Sequence, residues 1–413
     1  MASSTLADRR WIPRGVERTS TRRFLFWLAP WLLLLGLGVY AAARCLLLGL
    51  NQTNLDNRFA FGLWIFLDLS VIALGAGAFF TGFLVYLLRR KELRPILNAS
   101  VVLGFICYSG AVGVLGIDVG QPLRGWFTFW HPNVHSMLTE VTFCITCYLL
   151  VLALEYVPLL LRNRRLRKLP SALVFEHRLH LLVPVLAGVG TLLSFFHQGS
   201  LGGLYGVLHG RPFAFRAGFL IWPTTFFLFV LSAISVGPSF LMLVTAAVQR
   251  ITRRTLVPDD VFTTLARLSG RLLAVYVICK AADTLYWLNY TSPKLGFAPW
   301  EHFTHKPFGS LLMFVELVGF GLIPVVLLLH SRWRLLGGAM ACAGIIVNRF
   351  VLTIQTLALP TLSFDAFVTY WPSWQEVASF GAVIAYGVVI FSLSYRYLPL
   401  FPHEKESPHV SGG

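Results

Sequence analysis

Between two long apolar runs, the stretch DVGQPLRGWFTFWHPNVHSMLTE carries Asp118 and Glu140 at its ends, with Arg124, His131 and His135 among aromatic residues. Asp118 closes the run before the link, and Glu140 sits a little over one helical turn into the run after it, so the two acids face each other across it. Ionisable groups at a membrane boundary bind polar ligands or pass protons. A plainer reading is interfacial anchoring, with Trp126 and Trp130 at the headgroups and the charges incidental. More such residues recur inside apolar runs: Asp68, Tyr108, Glu155, His197 beside Gln198, Lys280, Asp283, Glu316, Arg349 and Glu376. Each charge at the centre of a bilayer costs about 2.5 to 3.5 kcal/mol, so these side chains are expected to face one another or a cavity rather than lipid. Lys280 and Asp283, three apart on one helix face, predict a neutralising ion pair. Ion pairing between helices is also a purely structural account of the whole set.

The elements that must position these groups follow from composition. Of 413 residues 56% are hydrophobic and 13% charged, with a mean hydropathy of +0.70, a balance that suits an integral membrane protein and not a soluble one. Ten apolar runs, at roughly 24–48, 60–88, 96–117, 136–160, 180–198, 217–248, 266–289, 308–330, 335–358 and 373–397, are long enough for helices of about 20 residues. The short alternating segments of an outer-membrane barrel are missing, so the fold class is an all-α bundle. The predicted organisation is a basic tail over 1–23, a ten-helix domain over 24–398 and a short tail over 399–413. The net charge of +16 belongs to topology rather than to nucleic-acid binding: 25 of the 34 Lys and Arg lie in the N-terminal tail and in every second connection. That asymmetry predicts both termini in the cytoplasm of a bacterial inner membrane. It also puts nearly all the buried ionisable groups in the opposite, outer half.

Along the chain, Arg22-Arg23 before an apolar core imitates an export signal, but the span exceeds the 7 to 15 residues of a signal core and reads as a retained first helix. The small residues Gly75 to Ala78 predict a close helix approach, Gly237-Pro238 a kink, and HQGSLGGLYG a flexible outer turn bearing His197 and Gln198. All six cysteines fall in or at the edge of apolar runs, and Cys144-x-x-Cys147 lacks the second pair of a metal site, so buried thiols are expected. A bundle haem needs two histidines at matching depth, whereas His197 lies near the outer end and His330 at the inner end of their runs. His131 and His135 are separated by Pro132, which breaks the helical geometry of a metal pair. With no phosphate-binding loop, dinucleotide fingerprint or iron–sulfur cysteine set, the chain is expected to bind no haem, cluster or metal.

In order and spacing, FGLWIFLDL, GIDVGQPLRGW, HPNVHSMLTE, ALEYVP, HQGSLGGLY, VNRF and YWPSWQE resemble the NrfD/PsrC-like family of quinone-interacting membrane subunits, over about residues 55 to 400. The likeness is strongest to the branch that serves uptake hydrogenases and menaquinone reductase complexes. The resemblance implies two four-helix bundles, flanked by the first and last helices. It implies a quinone, menaquinone foremost, as substrate in the outer half, and a periplasmic ferredoxin-like iron–sulfur subunit as electron partner. Molybdopterin-like and multihaem cytochrome c subunits, or a nickel–iron hydrogenase, would complete the complex. Matching motifs carry over Asp118, His135, Glu140, His197 and Gln198 as the quinone neighbourhood, with Asp68 and Tyr108 beside them. Quinone reduction consumes two electrons and two protons, so His135 or His197 would donate to a carbonyl oxygen while Asp118 or Glu140 orients it or relays protons. Glu155, Lys280, Asp283, Glu316 and Arg349 would extend a proton path towards the cytoplasm. A membrane anchor or proton-coupled transporter is the other function class; neighbouring genes for redox subunits would separate the two.

Overall fold

In a bilayer, apolar runs of this length satisfy their backbone polar groups as helices, and the computed structural model of the chain is built from them. It describes residues 11–13, 16–168, 170–209, 211, 213–216, 222–296, 314–360, 364, 366–402 and 404–406. The first ten residues and the predicted starts of the sixth and eighth runs, 217–221 and 308–313, lie outside that set. The helices are α1 (Thr21–Leu48), α2 (Leu63–Leu87), α3 (Arg94–Asp118), α4 (Met137–Leu161), α5 (Pro170–Gly206), α6 (Thr224–Thr252), α7 (Asp259–Lys294), α8 (Val315–Leu329), α9 (Arg334–Ala358) and α10 (Trp374–Tyr397). Among the described residues nine of these are long and apolar enough to cross a membrane, and α8 is a shorter apolar helix. The protein is an all-α, multi-pass membrane protein of about ten helices, as the apolar runs predict.

Helices α2 to α5 pack as one group and α6 to α9 as another, while α1 lies against α10 and α10 against α3. The two groups meet where α2 and α5 pack against α6. A Cβ on Gly77 would lie 2.6 Å from the Gly237 carbonyl oxygen, and one on Gly237 would lie 2.3 Å from the Gly77 nitrogen. Backbone touches backbone there, which is the close approach that the small residues of α2 predict.

The described segments ahead of α1 and after α10 converge on one face. Arg18 donates to Glu404 at 3.0 Å, the Asn163 amide donates to the carbonyls of Trp11 and Tyr397, and Asn98 donates to that of Pro399. A two-residue antiparallel ladder, β1 (Arg254–Thr255) with β2 (Lys405–Glu406), completes this terminal face. At the distal face the buried Glu376 carboxylate accepts from the backbone N–H of Asn54 (3.3 Å) and Ser373 (2.9 Å) and from the Tyr370 hydroxyl. With Ser373 it forms a capping box that starts α10 and ties it to the α1–α2 link.

Two expectations are corrected. HQGSLGGLYG is not a turn: α5 stays helical to Gly206. The spacing of Gly199, Gly202 and Gly206 puts them on one face against α6, where added Cβ atoms would meet Phe226, the Thr225 carbonyl and Pro223 within 2.5 Å. Glycine serves helix contact here, not chain reversal. The thiols are also not all buried, since Cys147 and Cys279 are exposed while the other four, Cys144 among them, are enclosed.

Candidate functional site

Helix α5 presents Ser194, His197, Gln198, Leu201 and Tyr205 at helical spacing, all buried and turned towards α2 and α3. Gln198 uses its amide nitrogen twice, on the Ile72 carbonyl of α2 (3.0 Å) and on the Tyr108 hydroxyl of α3 (3.4 Å). The Tyr108 hydroxyl also lies 2.7 Å from Ser194 Oγ. Tyr108 packs edge-on against Tyr148 of α4 at 4.5 Å between ring centroids and stands 5.9 Å from the His197 ring. Ile72 is one turn from Asp68 on α2, and Tyr108 lies ten residues before Asp118 on α3. Asp68 and Asp118 are electrostatic neighbours of each other and of Tyr205. Four helices thus bring two acids, an imidazole, an amide and three phenols together near the distal end of the first bundle.

Few of these groups are spent on one another. His197 is fully buried, the Val141 backbone lies beside it, and neither ring nitrogen has a partner with hydrogen-bond geometry among the described residues. The same holds for Asp68 Oδ1, Asp118 Oδ1 and the hydroxyls of Tyr148 and Tyr205. An unsatisfied buried polar atom costs about 1 to 3 kcal/mol, so several gathered in one place make this cluster the candidate site. Asp118, half-buried at the end of α3, forms the rim of the cluster; Asp68 and Gln198 lie deeper, at 3% and 1% exposure.

The link that carries the most motif residues stands apart from this cluster. His131 and His135 are exposed, as are Trp126 and Trp130, and Glu140 is half-buried in the first turn of α4. Exposed indoles are what the interfacial reading of this link expects. His330 is exposed at the terminal end of α8, far in sequence from the buried His197, and its Nδ1 pairs with the Val326 carbonyl. No cluster of three or more His, Cys, Asp and Glu that could hold a metal occurs among the described residues.

The second bundle arranges its ionisable groups differently. The predicted Lys280–Asp283 pair does not form. Asp283 instead takes Arg216 Nε at 2.9 Å and Thr224 Oγ1 at 2.6 Å, and Lys280 approaches Glu316 at 3.6 Å. Arg216 also donates to the carbonyls of Phe213 and Phe215, so the segment leading to α6 brings in a better-placed cation than the lysine one turn away. Asn348 donates to Glu316; Arg349 donates to Asn348 (2.7 Å) and Ser232 (3.0 Å), with its guanidinium 3.6 Å from the Phe229 ring centroid. Three π-helical segments, Trp287–Thr291, Val315–Leu322 and Val351–Gln355, border this network. Glu155 of α4 lies half-buried towards the terminal face, an electrostatic neighbour of Tyr148 and Tyr86.

Sequence reasoning missed Ser194, Tyr148, Tyr205 and Arg216. The first and third share the helical spacing of His197 and Gln198 and were findable from it; Arg216 gave no signal, being one charge in a connection.

A family model described as polysulphide reductase, NrfD, matches residues 51–361. The chain is 48% identical over 406 residues to the menaquinone reductase integral membrane subunit of Nitratidesulfovibrio vulgaris, covering 97% of both chains. It is 24% identical over 381 residues to the probable Ni/Fe-hydrogenase 2 b-type cytochrome subunit of Escherichia coli, covering 88% of this chain and 89% of that one. Against one of the selenate reductase subunits of Mesobacillus selenatarsenatis it is 22% identical over 408 residues, covering 88% and 91%.

Proposed function

The chain belongs to the NrfD family, and on that premise we propose that it reduces menaquinone as the membrane subunit of a respiratory oxidoreductase complex. Membership and the relatives' names support the coarse role, a quinone-interacting membrane subunit partnered by redox-enzyme subunits. In the finer reading, a periplasmic iron–sulfur subunit delivers two electrons at the distal face, and the chain's own residues supply two protons to the quinone oxygens. Basic connections on the terminal face support a cytoplasmic placement of both ends.

The observation that carries this reading is the cluster of donors and acceptors around His197 that have no partner among the described residues. In it, His197 and the Tyr108 hydroxyl are hydrogen-bond donors for quinone oxygens, Gln198 fixes Tyr108, and Asp68 and Asp118 take and release protons. Glu140 and His135 flank the entrance from the α3–α4 link. Tyr148 and Glu155 would return protons from the terminal face, and the Lys280–Glu316 and Arg349 network would tune the second bundle.

The test is menaquinone reduction by the intact complex carrying His197→Gln or Asp68→Asn. Loss of a positioned proton donor lowers turnover by about 10²-fold or more, with the subunits still assembled. Wild-type turnover in both variants would remove the site from this cluster and favour a plain anchor.

A further inference from the structure

The terminal face holds a cavity that the quinone reading does not use. It measures about 360 Å³ and is enclosed by the segment ahead of α1, the end of α6 and the end of α10. Its polar lining is cationic: Arg18, Arg23, Arg254 and Arg396 against Glu17, with Glu404 bridging Arg18 and Arg254 from behind. Arg23 is exposed and has no acidic partner among the described residues, which leaves its guanidinium open to an outside anion. The remaining wall is apolar, with Phe24, Trp27, Ile251 and Phe391.

Arg23 and Trp27 also line a second hollow of about 530 Å³, which continues along the outward face of α1 over Phe26, Pro30 and Trp31. That face is turned away from the bundle: Phe26 is 83% exposed and Trp27 40%. In a membrane it meets acyl chains. The two hollows therefore form one path, cationic where it opens on the terminal face and apolar where it runs into the bilayer.

We propose that this path is the binding site of one anionic phospholipid from the leaflet at the terminal face, its phosphodiester held by Arg23 and Arg254 and its acyl chains laid on Trp27 and Trp31. Charge complementarity selects an anionic headgroup. The apolar continuation selects a lipid over a free phosphate, which would gain nothing from it. Bound there, the lipid bridges α1 and α6, two helices that belong to different layers of the protein, and it reinforces the clasp that Glu404 makes between the chain ends.

Lipid retention by the complex in nanodiscs of phosphatidylcholine with phosphatidylglycerol, read by native mass spectrometry, tests the proposal. The wild type retains one phosphatidylglycerol in preference to phosphatidylcholine. Arg23→Gln, a change at an exposed side chain, lowers that preference by about fivefold, the worth of one basic residue at an anionic surface. Trp27→Ala lowers retention of both lipids. Equal retention of the two lipids by the wild type, or unchanged preference in Arg23→Gln, overturns the proposal. Displacement of the lipid by inorganic phosphate as readily as by soluble phosphatidylglycerol also overturns it, since the site would then recognise a free anion.

Discussion

Among the described residues, Asp283 and Glu316 of the second bundle each sit against a cation, and the nearby Arg349 is held by Asn348, Ser232 and the Phe229 ring. Among the described residues Asp68 and Asp118 of the first bundle have no cation within ion-pair distance, and neither ring nitrogen of His197 beside them has a partner with hydrogen-bond geometry. Both sets are enclosed by helices of similar composition, so burial does not separate them; pairing does. A paired acid in a low-dielectric bundle is locked, because releasing either partner strands the other. An unpaired acid beside phenols and an imidazole stays free to exchange a proton or accept a ligand. In the proposed reading, the first bundle is accordingly the side that handles protons, and the second is the side that holds shape.

The comparison breaks most visibly through stability. Asp283→Asn leaves Arg216 buried without its anion and is expected to cost about 3 to 5 kcal/mol, read as a lowered unfolding temperature in detergent. Asp68→Asn removes an acid that no cation needs, so its unfolding temperature stays level or rises while turnover falls. Equal destabilisation by the two changes would mean that the halves do not differ in kind. Next in size, the paired replacement Arg216→Met with Asp283→Leu restores most of the stability lost by Asp283→Asn, because two apolar residues cost about the same or less than a buried ion pair. A double variant no more stable than the single one would show that Arg216 acts through the Phe213 and Phe215 carbonyls instead.

How much of this was legible in the sequence depends on whether the signal was local. Helix number and class follow from run length, and the gathering of Asp68, His197 and Gln198 follows from depth along each run. The partner of Asp283 was not legible: Lys280 at helical spacing offered a local answer, whereas Arg216 comes from another segment and wins through carbonyl-supported geometry. The glycines of HQGSLGGLYG misled for the same reason. Alone they signal a turn, and only the aromatic face of α6, set by Phe226 and Phe229, makes them a helix-packing surface. His135 carries a strong motif, yet its side chain is exposed, like most of the link around it.

The smallest effect, and the sharpest check on what pairing does outside the bilayer, concerns Glu404. Burial alone raises its carboxyl, but the hydrogen bonds and charge of Arg18, together with Tyr395 and Arg254, outweigh this and hold it below the ordinary glutamate value of 4.5. A carboxyl with a depressed folded value contributes stability that is fully present above its unfolded value and disappears as pH falls through the folded one. The clasp between the chain ends should therefore be intact at neutral pH and open only in acid below the ordinary glutamate range. Hydrogen exchange at the amides of Arg254 and Thr255, whose strand pairs with Lys405 and Glu406, reads that opening directly. In Glu404→Gln the protection from exchange, taken relative to an unstructured amide at the same pH, should be lower at neutral pH and no longer change across the acid range. Identical profiles in the two proteins would mean that the ladder holds the ends by itself and that the carboxylate, though paired, fixes nothing.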